Sequence, residues 1–341
     1  MLKLFPERKV SKRKRRKLFL YWFIALILFV AFFANFVRII SFNFYKFAAK
    51  PQGPKLTFDK FEGEKITGVI LANPLILVNF DPVDSAVEIF ELPVNLYLEV
   101  GNSGFYLASQ TQNLVPSQDQ DGVKILANAI TANFRLPVDF YLDFGKFEIT
   151  ENKILEFKEK TGQTSSLLWF FQMPVKSAKV LKTNLTLFDQ YKLLWQLREV
   201  RGDKFNYQKM EPSNFEEIIL PDGDKALKVT ADGLVPETLS VFQDLKLASE
   251  GLTVEVKNAA GEVGLAQKIT AICQNIGIAA SSSENSDEVL PKSKILVKKG
   301  TSDSKTVARL AKTFGGSVEN VPDSGFSDVV ILAGLDLAER L

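Results

Sequence analysis

The chain has 341 residues, of which 42 are Lys or Arg and 40 are Asp or Glu, so its formal net charge at pH 7 is only +2. It contains no histidine, which excludes His-ligated metal sites and nucleophiles activated by a histidine base. The single cysteine, Cys273, excludes an intrachain disulfide, and we expect it to be a small core residue. The length allows two folded domains after an N-terminal segment.

The N-terminus predicts a membrane anchor. Residues 1–17 form a basic tail, and residues 18–37 are apolar and carry no charge. A helix of about 20 residues crosses a hydrocarbon core of roughly 30 Å, and a basic flank stays in the cytoplasm. A cleaved signal peptide would have a shorter apolar run and small exit residues. We therefore predict a single-pass cell-membrane anchor at residues 18–40, with a cytoplasmic N-terminus and the bulk of the chain extracytoplasmic.

The basic tail is interpreted as a topology signal with affinity for membrane lipid rather than as a nucleic-acid patch. Without residues 1–17 the chain keeps 33 basic and 39 acidic residues, so the outer part is mildly acidic and no nucleic-acid partner is expected. Residues 41–57 alternate aromatic and polar side chains before a Pro- and Gly-containing stretch, which predicts an interfacial linker.

A middle domain is predicted at residues 58–212. Four short β-rich runs with turn residues between them, from residue 66 to residue 100, favour an antiparallel meander. A surface loop is expected up to residue 122, followed by a helix with a buried stripe and then a strand at 136–144. Further helices are predicted at 152–160, 165–181 and 186–201. Together these elements indicate a mixed sheet in an α/β or α+β domain.

The last predicted helix carries two arginines, Arg198 and Arg201, that continue its apolar face. Two guanidinium groups in this position indicate either a helix end whose cations suit the helix dipole or the rim of an anion-binding pocket. Both interpretations stay open at this point.

The rest of the chain predicts a connector and a small C-terminal domain. Residues 213–248 form the connector, with one hairpin around residues 221–223. Residues 249–341 contain a strand–turn–helix unit that occurs twice, which predicts a split βαβ arrangement with both helices on one face. The glycine turn before the first helix lacks the spacing of a nucleotide-binding loop. The helices are expected to bury Leu265, Ile269, Ile272, Cys273 and Ile276, and Val307, Leu310, Ala311 and Phe314.

Three stretches of this domain, residues 254–278, 294–300 and 327–337, resemble the LytR C-terminal domain. Its pattern is V-x-V-x-N-x-T/A-G-x-x-G-L-A with a closing G-x-D, which Gly334 and Asp336 match. With the anchor and the α/β domain before it, the chain resembles the LytR-CpsA-Psr arrangement of bacterial envelope proteins. That resemblance implies transfer of glycopolymers from a polyprenyl-pyrophosphate carrier to the cell wall, with arginines on the pyrophosphate and acids that hold a divalent metal.

The middle domain departs from the family pattern at its charged positions. Asn73 stands where the resemblance implies an acid, and residues 92–95 read Leu-Pro-Val-Asn where it implies Ile-Pro-Arg-Asp. In the closing segment, Lys209 is the cation that is kept at a position where the resemblance implies an arginine, and the residues beside it are neutral. The residual phosphate site that the resemblance implies is therefore Arg198, Arg201, Asp203 and Lys209, with no catalytic and no metal-binding residue.

These losses favour a catalytically degenerate protein. One electrostatic stabiliser of a transition state is worth about 2.7–4 kcal/mol, so losing several should abolish the family reaction. We therefore predict a membrane-anchored envelope protein that needs no cofactor and binds a polyprenyl-linked glycopolymer or an envelope protein. The alternatives are an active glycopolymer transferase that uses Arg198, Arg201 and Asp203 with Mg²⁺, and a purely architectural role in which the C-terminal domain docks a partner.

Overall fold

The computed structural model describes residues 64–111, 122–152, 182–185, 200–283, 285–286, 288–322 and 327–341, together with residues 189, 193 and 196–197. The chain divides into a unit of residues 1–49 and a unit of residues 50–341, and every described residue belongs to the second. The predicted tail, anchor and linker lie outside the described residues, as do residues 153–181. Within the described ranges, no helix is long and apolar enough to cross a membrane.

The middle domain is built on a six-stranded mixed sheet whose strand order is β7-β6-β1-β2-β3-β8. The strands and helices of this domain are β1 (Ile66–Asn73), β2 (Ile76–Asp81), β3 (Ala86–Glu91), β4 (Tyr97–Glu99), β5 (Phe105–Leu107), α1 (Ala108–Thr111), α2 (Gly122–Phe134), β6 (Phe140–Glu148), β7 (Lys182–Thr183) and β8 (Phe205–Lys209). The predicted mixed sheet with helices is confirmed, as is the antiparallel meander of β1, β2 and β3.

Two parallel pairings set the direction of the sheet. β6 pairs with β1 in parallel, and β8 pairs with β3 in parallel. Because β1 and β3 are each antiparallel to β2, the four strands β1, β3, β6 and β8 run in the same direction and end at one edge. We call this the carboxyl edge. β2 lies between β1 and β3, and all of its residues are buried, which its apolar sequence permits because both faces of the sheet are covered.

The two faces of the sheet support separate apolar cores. On one face, β1 and β3 pack against the stripe of α2, including Leu126, Ile130 and Phe134. On the other face, Ile66, Phe80 and their neighbours form a second cluster. The period-two alternation of side chains along a strand divides the apolar residues of β1 and β3 between these cores.

One predicted loop is wrong. Residues 101–107 were expected on a surface loop, but β4 and β5 pair as an antiparallel hairpin across Gly101–Ser103. The pairing is closed by the Val100 N–H, which donates to the Gly104 carbonyl at 2.8 Å, and Gly104 has φ of 101°, which glycine adopts without strain. The turn-rich composition of this stretch therefore belongs to a tight hairpin and not to a surface loop.

The connector forms ordered structure that packs on the middle domain. Its elements are β9 (Phe215–Ile219), β10 (Lys225–Val229), α3 (Pro236–Phe242) and α4 (Leu245–Glu250). The hairpin predicted around residues 221–223 is confirmed, since β9 and β10 pair in antiparallel register across it. Val229, Leu234 and Phe242 belong to the same apolar core as α2. The connector therefore completes the middle domain's core.

The C-terminal domain contains the predicted repeat. Its elements are β11 (Thr253–Asn258), α5 (Leu265–Asn275), β12 (Ala279–Ser282), β13 (Lys294–Lys298), α6 (Lys305–Phe314), β14 (Ser317–Val321), β15 (Val329–Ala333) and α7 (Leu335–Ala338). β11-α5-β12 and β13-α6-β14 are two βαβ units whose strands pair in parallel. The apolar stripes of α5 and α6 share one core, as expected for helices on one face. Ala311 is only partly buried, whereas the other predicted stripe residues are buried.

The arrangement of these units differs from the predicted split βαβ. The strand order is β12-β11-β15-β13-β14, so the two strands of each unit are neighbours and the closing strand β15 lies between the units. β15 is parallel to β11 and antiparallel to β13. Its sequence, Val-Val-Ile-Leu-Ala, is almost wholly buried and suits a central position covered on both faces.

A buried ion pair joins the C-terminal domain to the middle domain. Arg309 of α6 donates two hydrogen bonds to the carboxylate of Asp139, at 2.7 and 3.0 Å, and the two side chains are 2% and 3% exposed. The N–H of Thr67 donates to the same carboxylate at 2.9 Å. Ala132 of α2 also packs into the C-terminal core. We call this contact region, with the charged groups around Arg309, the interdomain joint.

Replacing Arg309 by Met should lower the free energy of unfolding by about 3–5 kcal/mol, because Asp139 would stay buried without its partner. The matched control is Arg201→Met, whose ion pair with Asp203 is 74% and 62% exposed and should contribute within about 0.5 kcal/mol. Urea unfolding of the purified chain measures both. Equal losses in the two variants would contradict the weight given to the buried pair.

Candidate functional site

The carboxyl edge is the natural candidate site of the middle domain. Ligands of open α/β sheets bind beyond the carboxyl ends of the strands. Asn73, Glu91, Glu148 and Lys209 are the last residues of the four strands that end there, and Asn73 and Glu148 are partners in the register. This edge therefore carries two carboxylates, one amide and one ammonium group.

Glu91 organises the β3–β8 side of this edge. The Tyr207 hydroxyl donates to its Oε2 at 2.7 Å, and the Nζ of Lys209 lies 4.0 Å from its Oε1. Burial, the hydrogen bond to Glu91 and the charges of Glu91 and Glu151 all raise the pKa of Tyr207 above its ordinary value. The phenol therefore stays protonated and serves as a donor to the carboxylate. Lys209 is 82% exposed, so water screens its charge.

The turn after β3, residues 92–95, contains no cationic side chain that could bind an anion. Val94 occupies the position at which the resemblance implies an arginine, and its side chain is 75% exposed. Asn95 occupies the position of the implied acid, and its amide donates to the Lys225 carbonyl at 3.0 Å. Its own carbonyl accepts the Leu227 N–H at 3.0 Å. Asn95 thus fixes the turn to the β9–β10 hairpin instead of facing a ligand.

The predicted phosphate residues fall at different places. Arg198 lies outside the described residues. Arg201 and Asp203 form an exposed ion pair at 3.1 Å, beside the short helix Gly202–Lys204 that precedes β8. Lys209 is at the other end of β8, which separates it from Asp203 by roughly 13 Å or more. The structure therefore brings Arg201 and Asp203 together without Lys209, and the assignment of these four residues as a phosphate site stays a prediction.

The predicted helix at 186–201 ends before Arg201. Val200 is not helical, and Arg201 has φ of −73° and ψ of 156°, which is extended backbone. Gly202, a poor helix former, follows directly. The expectation that Arg201 continues the apolar helix face is therefore wrong. Among the described residues, no group of three or more acidic or sulfur-bearing side chains is placed to hold a metal ion.

The motif residues of the C-terminal domain act within the fold. The Oδ1 of Asn258 accepts the N–H groups of Ala260 and Gly261 at 3.1 Å each, and its Nδ2 donates to the Glu262 carbonyl at 2.7 Å. One side chain thus closes the turn between β11 and α5. Asparagine suits this role because its short amide offers both an acceptor and a donor to nearby backbone.

The closing G-x-D motif locks the loop before β13. Asp336 accepts the N–H of Ser293 at 2.8 Å and its hydroxyl at 2.7 Å, and the Ser293 Oγ accepts the Gly334 N–H at 2.9 Å. A Cβ on Gly334 would lie 2.7 Å from the Leu290 carbonyl oxygen and 2.8 Å from the Lys292 carbonyl carbon. Only glycine fits this approach, so the motif is required for packing.

The residues of the interdomain joint were missed in the sequence. Asp139 precedes a strand, and Arg309 lies among the buried residues of an amphipathic helix, where an arginine is ordinarily assigned to solvent. The sequence signal was that Arg309 lies between Val307 and Leu310, both of which are predicted to be buried. Its partner is 170 positions away in the chain, so no local pattern could identify the pair.

Asp336→Ala should lower the free energy of unfolding by about 1.5–3 kcal/mol, because two hydrogen bonds to a charged acceptor are lost and the Ser293 groups stay buried. Asp303→Ala, at an exposed position in the same domain, is the matched control and should stay within about 0.5 kcal/mol. Denaturant unfolding of both variants makes the comparison. A neutral Asp336→Ala would refute the structural role of the motif.

Comparisons with known proteins agree with the resemblance found in the C-terminal domain. Residues 251–336 match the LytR_C family, described as LytR cell envelope-related transcriptional attenuator. No curated protein matches the chain. The prediction of a LytR C-terminal domain is therefore confirmed for residues 251–336.

Several solved structures resemble part of the chain. TagV of Bacillus subtilis is 9% identical, with 50% of this chain and 93% of that chain covered and a TM-score of 0.38. YwtF (TagT), a LytR-CPS2A-psr family protein with bound octaprenyl pyrophosphate lipid, is 15% identical over 52% and 88%, with a TM-score of 0.34. Lin1025 from Listeria innocua is 11% identical over 50% and 93%, with a TM-score of 0.34. At such scores no conclusion about this chain rests on these likenesses. What the comparisons identify is a LytR C-terminal domain at residues 251–336.

Proposed function

We propose that this chain is a single-pass, membrane-anchored protein of the bacterial envelope that binds or assembles envelope components without catalysing their transfer. Its extracytoplasmic location follows from the charge pattern of residues 1–40. The match of residues 251–336 to a cell envelope-related family supports the envelope as its place of action. The observation that carries the non-catalytic part is the turn after β3, where Val94 is exposed and Asn95 is bound to backbone.

The charges at the carboxyl edge argue against a pyrophosphate reaction there. Phosphoryl transfer depends on cations and a metal-holding acid that are fixed in place before the reaction. Here Val94 cannot form the bidentate contact that an arginine gives to phosphate. Glu91 presents a carboxylate that Tyr207 holds in position, and a carboxylate repels phosphate oxygens. Each missing stabiliser corresponds to about 2.7–4 kcal/mol, or two to three decades of rate.

The transferase alternative would require the surviving charged residues to act together. Arg201 and Asp203 already satisfy each other in an exposed ion pair, and β8 separates them from Lys209. The described residues therefore give this alternative no specific support. The partners we propose are membrane lipid, through the anchor, and a polyprenyl-linked glycopolymer or an envelope protein, through the folded part.

The catalytic question is tested with the full chain reconstituted in liposomes that contain a polyprenyl-pyrophosphate-linked glycan, with Mg²⁺ present. We expect no cleavage of the pyrophosphate bond, measured as release of polyprenyl phosphate, above that of the same liposomes without protein, because the stabilising charges are missing. Arg201→Ala and Lys209→Ala test the surviving cations, and Lys204→Ala, which removes a cation bound to the Asp84 carbonyl, is the matched control.

Turnover by the wild-type chain that falls at least about a hundredfold in Arg201→Ala or Lys209→Ala, but not in Lys204→Ala, would overturn the non-catalytic proposal. The binding part is tested by chemical crosslinking in intact cells followed by purification of the full chain. We expect a glycopolymer or an envelope protein to be retained, and retention of neither would contradict it.

A further inference from the structure

Glu64 is a buried carboxyl group at the interdomain joint. The residue is 2% exposed, and its Oε2 atom has no hydrogen-bond partner within the described part of the chain. A buried charge without a partner is costly, so this position favours a neutral side chain. The joint therefore contains one acid with a buried carboxyl oxygen that no hydrogen bond satisfies among the described residues.

Glu64 lies beside charged groups of both domains. The N–H groups of the nearby Lys65 and Thr67 donate to Asp244 of the connector and to Asp139, which binds Arg309 of α6. The charges that act on Glu64 are those of Arg309 and Lys312 on α6, Asp244 and Asp139. The carboxylate of Asp244 also accepts the N–H groups of Lys65 and Lys246, at 2.8 and 2.9 Å. With these groups charged, an ionised Glu64 makes three carboxylates against two cations, whereas a protonated Glu64 leaves two against two.

Arg309 is already engaged with Asp139. Both terminal nitrogens of Arg309 already bind Asp139, so the guanidinium charge that would compensate an ionised Glu64 is shared with another carboxylate. An ionised Glu64 would compete with Asp139 for Arg309, and the Arg309–Asp139 pair is the buried ion pair between the two domains. Charge on Glu64 therefore acts directly on one of the contacts that hold the domains together.

The titration of Glu64 falls in the neutral range. Burial is the largest cause, and with the charges of Asp244 and Asp139 it outweighs the opposing effect of Arg309 and Lys312, raising the pKa of Glu64 from 4.5 to about 7. In an opened joint the group would be solvated and would titrate near its ordinary value.

We propose that the interdomain joint is a proton-operated latch, in which protonated Glu64 keeps the C-terminal domain docked on the middle domain and ionised Glu64 loosens it. The latch follows from the fold and does not depend on the proposed function. The docked form holds a proton that the open form releases between pH 4.5 and about 7. Docking is therefore strongest in acid and weakens as the pH rises through about 7.

Hydrogen exchange of the full chain at pH 5.5 and pH 8, corrected for intrinsic exchange rates, tests this latch. Relative to the amides of α2, we expect the protection of the α6 amides to fall roughly tenfold to a hundredfold between the two pH values. Glu64→Gln should remain protected at both pH values, because its side chain is uncharged throughout. Glu64→Met is a second uncharged variant, for use if the Gln variant does not fold.

Glu99→Gln is the matched control. Glu99 lies 3.6 Å from Lys268 across the same two domains, but its side chain is 43% exposed, so this variant should keep the wild-type pH dependence. Wild-type α6 protection that does not change with pH would overturn the latch. So would an undiminished pH dependence in the uncharged Glu64 variants, or an equal loss of that dependence in Glu99→Gln. None of these outcomes bears on glycopolymer transfer, so the latch and the proposed function can fail separately.

Discussion

The bidentate ion pair between Arg309 and Asp139 is the contact on which the arrangement of the folded part depends. Both side chains are almost fully buried, so each charge has lost its hydration and is compensated mainly by the other. Such a pair contributes modestly to net stability, but it allows only one way of docking, since any shift leaves two buried charges unpaired. The C-terminal domain is thereby held in a fixed position against the sheet of the middle domain.

This arrangement changes how the two parts of the molecule are interpreted. The motif residues Asn258, Gly334 and Asp336 satisfy backbone groups and allow close packing within the C-terminal domain. At the carboxyl edge of the middle domain, Tyr207 donates a hydrogen bond to Glu91. At the joint, by contrast, the buried Oε2 of Glu64 has no hydrogen-bond partner among the described residues. Among the printed ion pairs of the described residues, the most buried one thus lies between the domains.

Local patterns predicted most elements of the fold. The stripe of α2, the β1–β3 meander and the repeated βαβ unit follow from periodicities that act within a few residues. Two features do not follow from them: strand β5 and its hairpin with β4, because the turn-rich composition of residues 101–122 favours a loop, and the central position of β15. Strand order depends on which apolar strand can be covered on both faces, a property of the whole domain.

The candidate site was less predictable, for a related reason. Arg201 was expected to continue a helix face, but the helix ends before it and its guanidinium pairs with Asp203. The Arg309–Asp139 pair joins residues 170 positions apart, so only the tertiary fold brings them together. The resemblance correctly identified the C-terminal domain because its motif residues are local to turns, whereas the charges of the joint belong to no motif.

Cooperativity of unfolding tests the docking of the two domains most directly. The only cysteine, Cys273, lies in the core of the C-terminal domain, and the amides of α2 lie in the core of the middle domain. Urea unfolding followed by hydrogen exchange of the α2 amides and by the reactivity of the Cys273 thiol therefore reports on the two parts separately. The account predicts coincident transitions in the wild-type chain at pH 5.5. Exposure of Cys273 at a lower urea concentration than the loss of α2 protection would show that the domains unfold independently and would contradict it.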